Sequence, residues 1–485
     1  MIARSRRRLR TWLARIRNPG YAGPAAIFVV GYGALLLCIP AQLVIRPLGA
    51  VGSPASLWGI GALIWWILIT LRGHNPVRGL TGLRVGFGLL TLSVLAGYAA
   101  GHVSGWYAPP SIRQVTDEFW TLLPTTVTEV TATMISGADR GLLAFAGWLG
   151  ILLITADGLR SRADLDLVLR WLVRFGAFVA VLGIVQYFFG FDIAGLFQLP
   201  GLTANSDFGA VDSRSVVNRV VATATHPIEF GVVMAGLLPL AIHRSLFPSS
   251  PTGHRIITWV PTILIGAALP MSVSRSAILA AGVAGLILFL GWSWRLRLRA
   301  LVILPFAAVG MRLLAPGLIG TIRSLFTNLG NDPSISGRTD DYTVVLQLYA
   351  ENPWFGRGLF TFVPRYYRIL DNQLLMILIE LGLFGLIALV LAIGSAFFGA
   401  LLARRRTVDP ALRHLALAVA AAICGIALSY ATFDAWGFPL ATGLGFLLFG
   451  LAGSVANLTR PQGDLTTRPI VILPQRRGTE MGTRT

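Results

Sequence analysis

The chain has no lysine, only two cysteines and little charge of any kind: 13% of its 485 residues are charged. A soluble globular protein carries about a quarter charged residues, so the surroundings of most side chains here must be lipid or a bundle interior. Cys38 and Cys424 both lie inside apolar runs, which argues against a disulfide framework and a cysteine metal cluster. The runs do not alternate in polarity, so a spanning β-barrel is excluded and helices remain. No P-loop or dinucleotide fingerprint stands in a strand–turn–helix context, and no metal-ligand spacing is visible. No cofactor and no metal are expected. The net charge of +19 comes from 40 basic residues, all arginine. No soluble segment has a nucleic-acid-reading fold, so this charge is assigned to topology and anionic lipid headgroups and not to nucleic acid.

What is present is a dozen apolar runs in a chain that is 55% hydrophobic, with mean hydropathy +0.70. They predict an all-α polytopic integral membrane protein of about 12 transmembrane helices. The spans are placed at 22–44, 54–71, 80–101, 141–158, 171–190, 221–242, 256–272, 275–291, 298–315, 373–402, 411–430 and 435–457. Arg4, Arg6, Arg7, Arg8 and Arg10 precede an uncleaved first span, so residues 1–21 read as a basic cytoplasmic N-terminus. Alternate connections then carry Arg72 and Arg78; Arg160, Arg162 and Arg170; Arg244 and Arg255; Arg295, Arg297 and Arg299; and Arg404, Arg405 and Arg406. All of these, with Arg460, fall on the cytoplasmic side under the positive-inside rule. The domain 22–457 is therefore the membrane body, with both termini cytoplasmic, and 458–485 reads as a disordered tail.

Three longer segments remain outside. Gly101–Arg140 holds Asp117, Glu118, Trp120 and a Thr-rich stretch; Gly190–Val220 is polar; and 315–372 is the largest, a helical loop between the ninth and tenth spans. That last loop carries Arg323, Arg338, Arg357, Arg365 and Arg368, against the usual charge rule. Such arginines either serve a task or pair with Glu351, Asp340 and Asp341 as a solvated loop.

Four places concentrate chemistry. Ser272–Ser276 reads S-V-S-R-S, placing Arg275 between hydroxyls of Ser274 and Ser276 at a span boundary. A guanidinium there either grips a lipid phosphate or diphosphate or snorkels to headgroups. Arg219 precedes a span that opens with His226, Pro227 and Glu229; the His and Glu share a helical face, either as a bundle pair or as substrate contacts. Gly337–Tyr342 reads G-R-T-D-D-Y and contains Arg338 and Tyr342. Asp371 and Asn372 open the next long span, with Glu380 and Gly382 soon after. Asp371 is either that helix's N-cap or a base for an attacking hydroxyl.

In this order, the motifs resemble those of the O-antigen ligase and O-antigen polymerase superfamily of bacterial envelope glycosyltransferases. The resemblance rests on Arg219 with His226-Pro227, S-x-S-R-S at Ser272–Ser276, G-R-T-x-x-Y at Gly337–Tyr342, N-P-x-x-G-x-G at Asn352–Gly358, and the stretch from Asp371 to Gly385. It covers about 200–390. It implies a GT-C-like architecture in the bacterial inner membrane and an extracytoplasmic active site. It also implies metal-independent inverting transfer from a polyprenyl-diphosphate-linked glycan donor to a glycan acceptor. Arg219, Arg275 and Arg338 are then expected to neutralise the diphosphate, with Ser274, Ser276, Tyr342 and Asn372 as further substrate contacts. Asp371, His226 and Glu229 are the candidate catalytic groups. The resemblance also brings a flippase and a chain-length regulator into view as partners. Ligases of the family commonly carry His-Asn where this chain has Asp371-Asn372. That departure favours a polymerase of repeat units, with ligation to a lipid or other acceptor as the alternative and a polysaccharide-lipid transporter behind both.

Overall fold

The computed structural model describes residues 22–73, 81–103, 127–190, 194–205, 212–214, 217–248, 255–315, 317–327, 333–364, 367 and 369–460. The basic residues 1–21, Arg78, the segment with Asp117, Glu118 and Trp120, Arg365, Arg368 and the tail beyond Arg460 lie outside the described residues. For 333–340, which include Arg338, only the backbone is described.

A helix stands at each of the twelve expected positions: α1 (Pro24–Cys38), α2 (Pro54–Leu71), α3 (Gly82–Val103), α4 (Val127–Gly158), α5 (Arg162–Phe189), α6 (Pro227–Leu246), α7 (Arg255–Met271), α8 (Arg275–Gly291), α9 (Trp294–Leu314), α12 (Gln373–Arg406), α13 (Pro410–Ser429) and α14 (Pro439–Leu458). Two further helices, α10 (Leu318–Thr327) and α11 (Pro333–Glu351), occupy the long loop. Eight of these helices are long and apolar enough to cross a membrane: α2, α3, α4, α5, α6, α12, α13 and α14. The chain is a multi-pass membrane protein. Helices α1, α7 and α8 are apolar but shorter, and α9 starts with Arg295, Arg297 and Arg299.

The helix ends differ from the hydropathy limits for local reasons. α1 stops at Cys38 instead of Val44 because Pro40 disfavours helical backbone before it; Leu43–Val44 (β1) then pairs antiparallel with Thr203–Ala204 (β2). α5 starts nine residues before the expected 171 because Ser161 and Asp164 form a reciprocal capping box. α4 runs back to Val127, so part of the Thr-rich stretch is helical. α6 starts at Pro227 and not at Val221, since residues 220–226 form a buried irregular strap. One large core joins the spans. A smaller cluster, including Val345 of α11, Met134 of α4 and Met376 of α12, packs the long loop onto the first turns of α12.

Candidate functional site

Buried irregular backbone must find hydrogen-bond partners away from water, and the strap before α6 does so through side chains. Gln186 Oε1 accepts from Val221 N and Ala222 N, both at 2.8 Å. Thr223 Oγ1 donates to Leu37 O at 2.8 Å, and Ala41 N donates to Thr223 O at 2.9 Å. Ala222 is held at φ 50°, in the left-handed region. The strap thus links α1, α5 and α6. It begins at Arg219, which ends a short hairpin made by Asp212–Arg214 (β3) and Val217–Arg219 (β4) and is buried. It ends at His226, the N-cap of α6, whose Nδ1 accepts from Ile228 N at 3.2 Å. With Nδ1 accepting, the neutral ring carries its proton on Nε2 and can donate from there.

Glu229, fully buried one turn into α6, has both oxygens engaged. Oε2 accepts from Thr225 N (2.7 Å) and Thr225 Oγ1 (2.9 Å). Oε1 accepts from Leu440 N (2.6 Å) and Ala441 N (3.3 Å), two of the open amides at the start of α14. The carboxylate locks the first turns of two spans together.

The S-V-S-R-S segment is the tight turn between α7 and α8. Ser272 Oγ donates to Leu269 O at 2.8 Å, and Ser274 caps α8 by accepting from Ala277 N at 3.3 Å. Val273 sits at φ 47°, a conformation a β-branched residue seldom adopts. The turn lies against α6: a Cβ on Gly231 would come within 2.5 Å of Ser272 Oγ and 2.4 Å of Ala277 Cβ. Arg275, half-buried at the first position of α8, and buried Ser276 are therefore held beside the start of α6.

At α12 the expected capping is corrected. Asn372, not Asp371, is the N-cap, its Oδ1 accepting from Leu374 N (3.0 Å) and Leu375 N (3.2 Å). Asp371 is displaced one position outward. The next residue, Gln373, stitches the helix to the loop before α14: its N donates to Tyr430 O (2.8 Å) and Phe433 O (3.1 Å), and its Oε1 accepts from Trp436 N (2.6 Å). This loop brings in Asp434, which the sequence reading missed. Burial, and after it the charge of Asp371, push the Asp434 carboxyl up to about 7; Glu229 adds to the rise, and a backbone hydrogen bond opposes it. Phe438 of the same loop packs against His226, ring centres 5.9 Å apart. The starts of α6, α12 and α14 thus bring Asp371, Asp434, His226 and Glu229 into one neighbourhood.

The N-P-x-x-G-x-G element has a second role. α12 breaks at Gly382, φ 67°, and the loop repairs the break. Arg357 N (2.9 Å) and Gly358 N (2.7 Å) donate to Glu380 O, while Leu383 N donates to Pro353 O (2.8 Å) and Phe384 N to Trp354 O (3.3 Å). Glu380 Oε1 accepts from Phe362 N at 3.2 Å. Gly356 and Gly382 face each other so closely that a Cβ on either would meet the opposing backbone at 2.4 Å. Arg357 is buried, its guanidinium 5.3 Å from the Tyr367 ring and 3.4 Å from Glu351 Oε2. Burial pulls its affinity for the proton below the ordinary value, against the pull of Tyr367 and Glu351. Tyr342, by contrast, is half exposed on α11.

Residues 260–390 match the family model described as O-Antigen ligase. Over that stretch, about a quarter of the 485-residue chain, the protein is similar to this family. The matched stretch begins inside α7 and ends inside α12, so it includes the S-V-S-R-S turn, the long loop and the spliced break. Arg219, His226 and Glu229 precede it, and Asp434 follows it. No curated protein matches the chain. Asp434 could have been noticed in the sequence as the acidic residue in a short aromatic connection, Phe433–Phe438, between two apolar runs.

Proposed function

We propose that the chain transfers a glycan from a polyprenyl-diphosphate carrier to an acceptor hydroxyl, at the end of the bundle where α6, α8, α12 and α14 start. The observation that carries this reading is the docking of the α12 start, through Gln373, onto the loop that holds Asp434 beside the His226 cap; this sets Asp371 and Asp434 at the same end of the bundle as Arg219 and Arg275. The acceptor oxygen attacks the anomeric carbon, the bond to the carrier phosphate breaks, and its electron pair leaves on the diphosphate. The acceptor proton passes to a carboxylate, Asp371 or Asp434; a group whose affinity for protons lies near neutrality suits that exchange. Arg219, Arg275 and Arg338 offset the charge that builds on the diphosphate, and His226 Nε2–H adds a donor. Ser276, Tyr342 and Asn372 remain substrate contacts in this reading, and Glu229 becomes a clamp on the fold, since its four accepted hydrogen bonds occupy it.

The family description favours ligation, transfer of a finished glycan to a lipid or other acceptor. Asp371 ahead of Asn372 keeps polymerisation of repeat units as the second reading. The carrier-linked glycans of a deletion strain separate them: long unattached polymer marks a ligase, and accumulated single repeats mark a polymerase. Purified protein with a synthetic carrier-linked donor tests transfer itself; no product with any acceptor hydroxyl sinks the proposal.

Orientation belongs to the same reading: twelve crossings, both termini cytoplasmic, the long loop outside. With Cys38 and Cys424 replaced by alanine, a cysteine at Ser336 should react with an impermeant thiol reagent in cells whose inner membrane is intact. One at Thr407 should react only after that membrane is opened. Labelling of both from one side removes the twelve-span arrangement.

A further inference from the structure

The opposite end of the bundle holds a cavity that glycan transfer does not use. It measures about 570 Å³ and opens between the start of α3 and the ends of α4, α12 and α14. Its polar rim carries Arg84, Arg406 and Arg460, with Asp157 the one acidic side chain among the described residues of the lining. Arg84 Nη2 donates to Asp157 Oδ2 at 2.6 Å, and the same oxygen accepts from Trp66 Nε1 at 2.7 Å. Asp157 thus fixes the Arg84 guanidinium and cancels its charge, and Arg406 and Arg460 leave the rim with a surplus of two positive charges. Asn457, also in the lining, is fixed by donating from Nδ2 to Ala156 O at 3.0 Å.

The rest of the wall is apolar and leads outward. Phe398 and Leu402 line the cavity and are 66% and 44% exposed, so the wall continues onto the face of α12 that meets lipid. Gly399 lies between them, and a Cβ built there meets nothing within 4 Å; the same holds for Gly82 across the mouth. The space is open where a chain would enter and cationic where a headgroup would rest.

We propose that this cavity binds an anionic phospholipid, its phosphate between Arg406 and Arg460 and one acyl chain along Phe398 and Leu402. The charge balance selects an anionic headgroup: a zwitterionic lipid brings its own cation to a rim that already has two in excess. Planar guanidinium groups suit phosphate oxygens, and arginines at the cytoplasmic boundary attract anionic lipid. The only part of the transfer reading involved is its orientation, which puts this end in the cytoplasmic leaflet.

The test uses full-length protein, delipidated in detergent, with no glycan substrate, so its outcome is separate from that of the transfer assay. Phosphatidylglycerol, phosphatidylcholine and inorganic phosphate are each titrated, with bound lipid counted by native mass spectrometry and the unfolding temperature recorded. Phosphatidylglycerol should be retained and raise the unfolding temperature; phosphatidylcholine and inorganic phosphate should do neither. Gly399→Trp fills the open space, and the double variant Arg406→Gln with Arg460→Gln removes the surplus charge. Each should weaken phosphatidylglycerol retention about tenfold or more. Should Gly399→Trp not fold, the double variant alone decides, since its changes lie at the rim. Equal retention of the two lipids, or undiminished retention in the double variant, overturns the proposal. Stabilisation by inorganic phosphate equal to that by phosphatidylglycerol overturns it too, leaving a free-phosphate site.

Discussion

The two ends of this bundle are built by different rules. At the arginine-rich end the helices finish regularly, with the capping box of Ser161 and Asp164, the Asp409 cap on α13, and ion pairs between Arg162 and Asp409, Arg244 and Asp166, and Arg170 and Asp166. At the opposite end the backbone is irregular and buried: a strap with Ala222 at positive φ, a strained turn at Val273 and a helix broken at Gly382. There, side-chain carboxylates and amides (Glu229, Gln186, Gln373) satisfy main-chain groups. Irregular backbone at membrane depth survives only where protein supplies the missing partners. Strain of that kind concentrates where chemistry needs fixed geometry, and its location agrees with the glycosyl-transfer reading.

Substitutions at each end can break this contrast. The largest loss is expected from Gly382→Val, which combines positive φ with a Cβ that would overlap the Trp354 backbone. It should cost several kcal/mol or more, read as loss of monodisperse protein after purification; a normal yield would remove the splice from the account. Next come the carboxylates. Asp371→Asn and Asp434→Asn should each lower turnover about 10²-fold while donor binding, measured by lipid capture, changes little.

The Asp434 variant has a further signature. With its carboxyl pushed up to about 7, Asp434 holds a proton below that pH and releases it above. Turnover requiring the carboxylate therefore rises with pH through about 7, and Asp434→Asn should flatten that limb. The folded state binds this proton more tightly than the unfolded chain does. The stability it brings is accordingly present at low pH and lost as pH rises to about 7. An unchanged pH profile would reassign the proton acceptor to Asp371.

Smaller effects follow. Glu229→Gln keeps the size but places an amide against Thr225 N or Leu440 N, and should cost about 1–3 kcal/mol of stability. Full stability with no activity would instead make Glu229 catalytic. Asn372→Ala should cost about 1 kcal/mol through the lost cap, with Asn372→Asp nearly neutral. At the other end, Arg170→Ala should change stability by less than about 1 kcal/mol, because its pair with Asp166 is partly exposed. Each is measured by thermal unfolding in one detergent.

Helix positions were legible in the sequence because hydropathy reports burial in lipid directly. Places where tertiary partners override local signals were not. Pro40 could have ended α1 early on inspection, whereas the late start of α6 depends on Gln186 capturing two amides about 35 residues away. Asp371 and Asn372 are both good caps, and local sequence does not choose between them; the docking of Gln373 onto Tyr430 and Phe433 does. Asp434 gave no motif, because its significance comes from Asp371 and Glu229, which are distant in the chain. Glu229 was legible as important but not as a clamp, since its second partner, Leu440, lies 211 residues away.

The splice at Gly382 also has a signature in amide hydrogen exchange. Glu380 O receives two loop amides, while the amides of Leu383 and Phe384 are satisfied by loop carbonyls, so neither side can open alone without stranding polar groups of the other. The amides of Arg357, Gly358, Leu383 and Phe384 should therefore exchange deuterium at one common rate, set by a single opening event. Residues of the loop between α11 and α12 would then share the slow clock of a transmembrane helix.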